Sequence, residues 1–517
     1  MKKSFVLLLT LLLVFTGTAY YAQGELLKEK DQLHYTEKVL YGDKSVVEGV
    51  TVETNLQYRY QLYWENLYTI GEKPIEQTKY TFYPNVYVDQ NFEYAGSLNF
   101  MLDGTDIMLG NDYSKGQDYY GLQIAVKELY DNTPAGTENS ATVYLKDYMD
   151  YYSFMMDMEF PFTNEEESFI NNDYSRYYVS KSELREDIAA LEKNGNNEKE
   201  LKKLKAYLKD IETFEEFFKI PVLEKEVYKI AIAKDEDGVV IGMGDSHANG
   251  GSSTGDIDIP DAPDVEGADS FSFGIQSVFD NGDCYFTFEP HTTRGELVDV
   301  SQIPGGYGIY HFTYDSKKGT IDLSDLKMVF PLSIEQNLTE IKMDANGENL
   351  LLFTTDEKAH YMSVIDKETM TLVETFMLGD SMYYMSNWVY EDYIVVVADK
   401  LMVFERNQIG SYTQALAVDR EILQENAIVE NLLEKLDWDT TFDWNGETLL
   451  MANRILRHNN EQGYFADYTC DFYVAAVGDK GCLYYAEYES SLSDVDGYHS
   501  SCHFDTDKTY PIRIRWN

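Results

Sequence analysis

Basic residues are scarce in this chain: 42 lysines and arginines face 90 aspartates and glutamates, for a net charge of −48. A nucleic-acid or phosphate-binding face needs clustered cations, and this composition leaves little to build one. An acidic surface of this kind keeps a secreted protein soluble, or else attracts cations or a cationic polymer. Cysteines number four, at 284, 470, 482 and 502, too few for a disulfide scaffold in a chain too long to need one. If "VGDKGC" turns a hairpin between Val477 and Cys482, Cys470 falls opposite a residue near Tyr488, which makes Cys482 with Cys502 the expected bridge. A zinc site would add His499 and His503, but no CxxC spacing supports it. The eight histidines form no HExxH, and no GxSxG, P-loop or dinucleotide fingerprint occurs in the right context. Carboxylate pairs for glycoside chemistry carry no signal among 90 acidic residues.

Long apolar runs are also missing, with one exception at the start. "MKKSFVLLLTLLLVFTGTAYYAQGE" has two lysines, an apolar run from Phe5 to Phe15 broken only by Thr10, and then small residues. That is the pattern of an export signal, with Gly17 and Ala19 at the −3 and −1 positions of a cut after Ala19. The alternative keeps the segment as an anchor, since Phe5 to Ala22 is 18 residues, just enough to span. No cysteine follows the run, which argues against a lipoprotein. Residues 1–23 therefore read as a signal peptide or N-terminal membrane anchor. Residues 24–517 are then expected to be extracytoplasmic, secreted or held at the outer face of the cytoplasmic membrane.

What the chain has in excess is aromatic residues, 43 Tyr and 26 Phe, which favour strands and can bury a large core. It also repeats. "LDGTDIML" places Gly104, "DEDGVVIG" Gly238, "FDNGDCYFTF" Gly282, "MDANGENLLLF" Gly347 and "FDWNGETLLM" Gly446. Asn-Gly and Asp-Gly accept positive φ cheaply and join strands in tight hairpins. The spacing from Gly238 to Gly282 is 44 residues and from Gly282 to Gly347 is 65. From Gly347 to Gly446 is 99, which "WVYEDYIVVVADKLMVFE" divides at Asp392 into 45 and 54. A period near 45 with about four strands per unit is what a propeller blade requires. A second hairpin follows each glycine turn, and Asp315 and Asp366 occupy the same place at its edge. His311 and His360 lie in equivalent strands and are expected to face a blade interface rather than a metal.

The stretch "MDANGENLLLFTTDEKAHYMSVIDKETMTLVETFMLGD" resembles the YVTN-type β-propeller repeats of exported and surface-layer proteins, and more broadly WD40-like repeats. The likeness is fair from Gly238 to Glu405 and faint before that. It implies an architecture and carries no catalytic residue across. The expectation is an all-β chain forming a single β-propeller of seven blades, with six or eight allowed, and an inserted helical hairpin. "SKSELREDIAALEK" starts with Ser180 and Glu183 in capping-box spacing, and "EKELKKLKAYLKDIETF" continues the apolar face, so the insertion spans about residues 180–217. It reads as a decorated loop packed on its own domain, with a docking arm as the alternative. A further amphipathic helix is expected in "DREILQENAIVENLLEKLD". Residues 244–269 read as an acidic Gly/Pro loop, where Asp256, Asp258, Asp261 and Asp264 offer oxygen ligands to calcium without any EF-hand spacing. "KTYPIRIRWN" is a strand suited to complete a blade beside an early strand such as "LHYTEKVLYG".

"GVVIGMGDSHANGG" looks like the nucleophile block of SGNH-type hydrolases, with Asp496 and His499 as a late DxxH. The Gly, Pro and Asp segment after Ser246 cannot be the helix that supports an oxyanion there, which argues against it. Asn337 in "NLT" is a sequon, though no glycan is expected on a bacterial chain. The functional expectation is an exported, non-enzymatic binding or scaffold protein of the bacterial cell envelope, with an envelope protein or glycan as partner. The alternative is a propeller-based enzyme, a hydrolase, lyase or quinoprotein-like oxidoreductase, acting at the channel mouth.

Overall fold

A computed structural model of the chain describes residues 2–29, 33–58, 62–82, 93–105, 119–163, 176–194, 197–424, 432–436, 440–456, 468–491, 498–500 and 512–517. Among them are seven antiparallel sheets of three or more strands and one two-stranded pair. Three of these sheets are simple meanders in chain order. The first runs through Ile275–Asp280, Asp283–Phe288, Gly308–Asp315 and Thr320–Pro331. The second runs through Asn337–Met343, Asn349–Thr355, Ala359–Asp366 and Thr371–Asp380, and the third through Ser386–Val389, Tyr393–Val397, Lys400–Arg406 and Tyr412–Asp419. This repeated four-stranded meander is the blade of a β-propeller.

The local chemistry of the repeat explains itself. Asn281 and Gly282 take φ values of 47° and 95°, as a two-residue hairpin between Asp280 and Asp283 demands. In the outer hairpins, Asp315 Oδ1 accepts the Lys318 N–H at 3.1 Å and Asp366 Oδ1 accepts the Thr369 N–H at 2.7 Å. Both aspartates end a third strand and close the turn to the fourth, at equivalent places.

The chain divides into two units, residues 1–92, 358–360 and 377–517 in one and 93–357 and 361–376 in the other. In the first, strands Thr51–Tyr58, Leu62–Thr69 and Ile75–Phe82 form a sheet whose open edge is taken by the chain's far end. Ile512–Arg515 pairs antiparallel with Thr51–Thr54, and Tyr498–Ser500 with Leu56–Tyr58. The early strand Tyr35–Gly42, within "LHYTEKVLYG", does not lie beside that terminus. It pairs instead with Gly481–Ser490 and becomes the fifth strand of the sheet begun by Thr441–Trp444. Strand character is legible in each segment, but partner choice depends on contacts more than 400 residues away in sequence.

Two glycine turns also differ from expectation. Gly238 joins Val227–Lys234 to Val240–His247, the second and third strands of a sheet that begins with Glu138–Tyr144. It therefore marks a different turn from Gly282, and the 44-residue interval between them is not a blade period. Gly104 follows Ser97–Leu102, whose ladder partner is Phe154–Glu159. An Asp-Gly pair reports a tight turn and not its rank in the sheet.

Within residues 244–269, expected as loop, a hairpin forms: Val240–His247 pairs with Gly250–Gly255. The glycines there serve close approach. A Cβ on Gly244 would lie 3.0 Å from Pro260 Cδ, and one on Gly251 only 2.8 Å from Ile259 Cγ2, so the 256–260 segment crosses the face of this hairpin.

The inserted helices are Lys181–Asn194 and Glu198–Phe217. Glu183 N–H donates to Ser180 Oγ at 3.4 Å, and Leu184, Ile211, Phe214 and Phe218 join the second unit's core. That core is aromatic: Phe100 stacks on Phe154 at 4.5 Å and meets Phe214, Phe273 and Phe286 edge-on. The second amphipathic helix is short, Arg420–Gln424, with 425–431 outside the described residues. A helix spans Lys2–Glu29, and among the described residues no helix is long and apolar enough to cross a membrane. Val477 does pair with Cys482, but the Cys482 thiol is free and donates to Tyr484 O at 3.3 Å. The expected partner, Cys502, lies outside the described residues. Cys284 is free and buried.

Candidate functional site

Antiparallel meanders gather their connections at two ends. In the sheet of residues 275–331 the tight turns share one end. The long 289–307 loop and the 332–336 link share the other. At this loop end of the second unit lies an open cleft of about 580 Å³, lined among others by Glu289, His291, Thr292, Glu335, Asp356 and Glu357. They come from the long loop, the link, and the loop after Asn349–Thr355 of the next sheet. Among the described residues that line it, none is lysine or arginine. The charge of the cleft is therefore negative, with the His291 ring hydrogen-bonded to Glu289 through Nδ1. Asp356 accepts the Tyr361 hydroxyl at 3.1 Å.

The cleft wall is built from a turn that another carboxylate holds. Asp269 accepts the hydroxyl of Thr292, that of Thr293 at 2.8 Å, and the N–H of Arg294 at 3.2 Å. Ser270 N–H adds a bond at 2.9 Å. Burial alone pushes the Asp269 carboxyl up, but these four donors together hold it below the usual range.

On the other side of the 269–271 segment sits Glu226, fully buried. Tyr152 and Tyr228 donate their hydroxyls to its two oxygens, the latter at 3.4 Å, and the Phe271 backbone N–H also bonds it. Burial pushes its carboxyl up to about 7, against the pull of these three donors and with the help of the Asp269 charge.

The hydrolase-like block does not form a site. Ser246 is buried within strand Val240–His247 and donates to Asp261 O at 2.9 Å, while Asp245 accepts from Ser252 at 2.6 Å. A strand follows it rather than a helix, and Asp496 lies outside the described residues. Asp256, Asp258, Asp261 and Asp264 are all exposed. Among the described residues no three such side chains converge as a metal would need. His311 and His360 are buried in third strands, where His311 Nε2 meets Asp283 at 2.8 Å and His360 Nε2 meets Tyr383 O at 2.7 Å. Asn337 of the sequon stands at the cleft. Sequence reading passed over Glu226, Asp269 and the cleft carboxylates, because nothing local separates them from the other acidic residues.

No family model matches the chain, and no curated protein matches it. Solved structures similar to it include the β-propeller domain of Myceliophteria thermophila Cps50 (Swd1), at 9% identity over 49% of this chain and 66% of that one, with a TM-score of 0.23. The periplasmic gluconolactonase PpgL of Pseudomonas aeruginosa is 12% identical over 52% of this chain and 82% of that one, with a TM-score of 0.23. A protein from Lactobacillus plantarum is 9% identical over 54% and 86%, with a TM-score of 0.22. The chain is a β-propeller protein. That statement rests on its meandering sheets, and likenesses this distant bring no residue, substrate or partner across.

Proposed function

We propose that this chain is an exported binding protein of the cell envelope, whose cleft at the loop end of the second unit takes a cationic segment of a partner. The observation that carries the reading is the cleft itself, about 580 Å³ in volume and lined by Glu289, Glu335, Asp356 and Glu357, with no lysine or arginine among its described lining residues. Loops displayed from rigid sheets are where such folds present binding sites. A net charge of −48 steers cationic partners toward it. The apolar run behind Lys2 and Lys3 supports export. Exposed Met382 and Tyr384 in the first unit, 86% and 88% accessible, add apolar surface of the kind partners cover.

The test is calorimetry with hexalysine on the full chain, in parallel with a Glu335→Gln/Glu357→Gln variant, at two salt concentrations. Binding that weakens about tenfold or more in the double variant and falls with salt supports the cleft. Equal binding by both proteins, or none by either, removes it. Crosslinking in the native envelope then identifies the partner.

A further inference from the structure

The second unit holds a fully buried glutamate that the binding cleft does not use. Glu226 immediately precedes strand Val227–Lys234, and its backbone carbonyl accepts the Leu145 N–H at 2.9 Å. Its carboxylate gathers Tyr152, Tyr228 and the backbone of Phe271. Leu223 N–H in turn donates to the Tyr152 hydroxyl at 3.3 Å. The charged and titratable groups that bear on this knot include Asp269, Asp245, which acts on Tyr228, and the His247 ring 5.1 Å from the Tyr228 ring. Lys225 points elsewhere, its ammonium bonded to Glu266 O at 2.8 Å. Glu226 thus faces hydroxyls and an amide, with an anion close by.

The segment from Asp269 to Phe271 is shared between this knot and the cleft. Phe271 bonds Glu226 on one side. On the other, Ser270 O accepts the Thr293 N–H at 3.0 Å, and Asp269 holds the turn through Thr292, Thr293 and Arg294. Three residues therefore connect a buried proton site to the cleft wall.

We propose that Glu226 is a proton-operated latch for the cleft: protonated, it holds the 269–271 segment and the Thr292–Arg294 turn in place, and ionised, it releases them. The inference deepens the binding reading above, but its primary test needs no ligand. The three donors steady the charged form, but full burial beside Asp269 outweighs them and favours the neutral carboxyl. A charged one, fully buried and near Asp269, draws water in and loosens what packs on it. The raised carboxyl supports this by placing the change between mildly acidic and mildly basic conditions.

Hydrogen exchange of the full chain, read by mass spectrometry as protection factors, tests it. Protection of the amides of Ser270, Phe271, Thr293 and Arg294 falls by about thirtyfold from about pH 5.5 to about pH 8, if local opening lets the carboxyl titrate normally. Glu226→Gln keeps the carbonyl and loses the proton, so its protection stays level across that range. Tyr228→Phe removes a donor to the charged form and moves the wild-type transition to higher pH. Overlapping pH profiles for wild type and Glu226→Gln overturn the latch, as does a Tyr228→Phe transition at lower pH. Hexalysine binding at both pH values is the second readout. Exchange that switches while hexalysine never binds retains the latch and rejects the ligand. Binding without a switch does the reverse.

Discussion

Among the described residues two glutamates, one in each unit, are each held by a pair of tyrosine hydroxyls, one with a cation beside it and the other without. In the first unit, Glu37 of the early strand accepts the hydroxyls of Tyr484 at 2.6 Å and Tyr488 at 3.1 Å, and the Lys44 ammonium pairs with it. In the second unit, Glu226 likewise receives two tyrosine hydroxyls, but among the described residues no lysine or arginine pairs with it. Glu37 has a cation beside it, and Glu226 has none among those residues. The contiguous meanders need neither: in Asn349–Thr355 and Tyr393–Val397 every side chain but that of Thr355 is buried, and most are apolar. A sheet formed by neighbouring hairpins aligns itself through its turns. The remote strand Tyr35–Gly42 needs a directional contact to be chosen, and Glu37 between Tyr484 and Tyr488 supplies one; Glu226 instead ties the start of its strand to Tyr152 and Phe271.

The largest break in this comparison comes from the chain's end. Removing residues 512–517 exposes the edge Thr51–Thr54 and deletes Ile512 and Ile514, which are 1% and 3% accessible. Two buried isoleucines alone account for about 4 kcal/mol. Urea unfolding of the truncated chain should show a first transition, from the first unit, moved down by that amount while the second unit's transition stays. A single unmoved transition would mean that the terminal strand contributes little to its sheet.

The pH dependence of stability at the two glutamates separates them next. Glu226 has its carboxyl raised from 4.5 to about 7, so the folded state keeps a proton that the unfolded state has lost. Its stabilisation is complete below pH 4.5 and is lost as pH rises through about 7, amounting to at most about 3 kcal/mol. Denaturation at about pH 5 and about pH 8 should therefore find the wild type weaker at the higher pH by up to that amount. Glu226→Gln should remove this part of the slope. Glu37→Gln strips Lys44 of its partner and weakens both tyrosine bonds, for a loss of about 1–2 kcal/mol that leaves the Glu226 slope in place. If Glu37→Gln abolished the slope and Glu226→Gln did not, Glu37 and not Glu226 would be the group that holds the extra proton.

Legibility in the sequence follows the same division. The Asn281–Gly282 and Gly347 turns, the Val477–Cys482 register and the Ser180–Glu183 helix start were readable because each depends on residues within a few positions of one another. Gly244 and Gly251 read as loop because their role is steric, set by Pro260 and Ile259 crossing above them. The terminal strands were visible as strands but without partners. Glu226 was invisible, since what distinguishes it is burial beside Tyr152, which lies 74 residues away in sequence.

The smallest expected effect bears on whether the contiguous sheets are true copies. Asp315 and Asp366 each end a third strand, and each closes the following turn with a backbone N–H three residues on. Their environments differ in detail. Lys318 adds an ammonium at 2.6 Å to Asp315, whereas Thr369 adds a hydroxyl at 2.7 Å to Asp366. Both carboxyls lie below the usual range, Asp315 chiefly through the Lys318 side chain and Asp366 chiefly through that of Thr369. An exposed ion pair contributes little, so the turn amide is the shared contribution. Asp315→Ala and Asp366→Ala should each cost under about 1 kcal/mol, and by similar amounts, in urea unfolding of the second unit. Raising the salt should shrink the Asp315 loss slightly and leave the Asp366 loss alone. A loss at one position several times that at the other would show that the two outer turns, alike in sequence, are held by different forces.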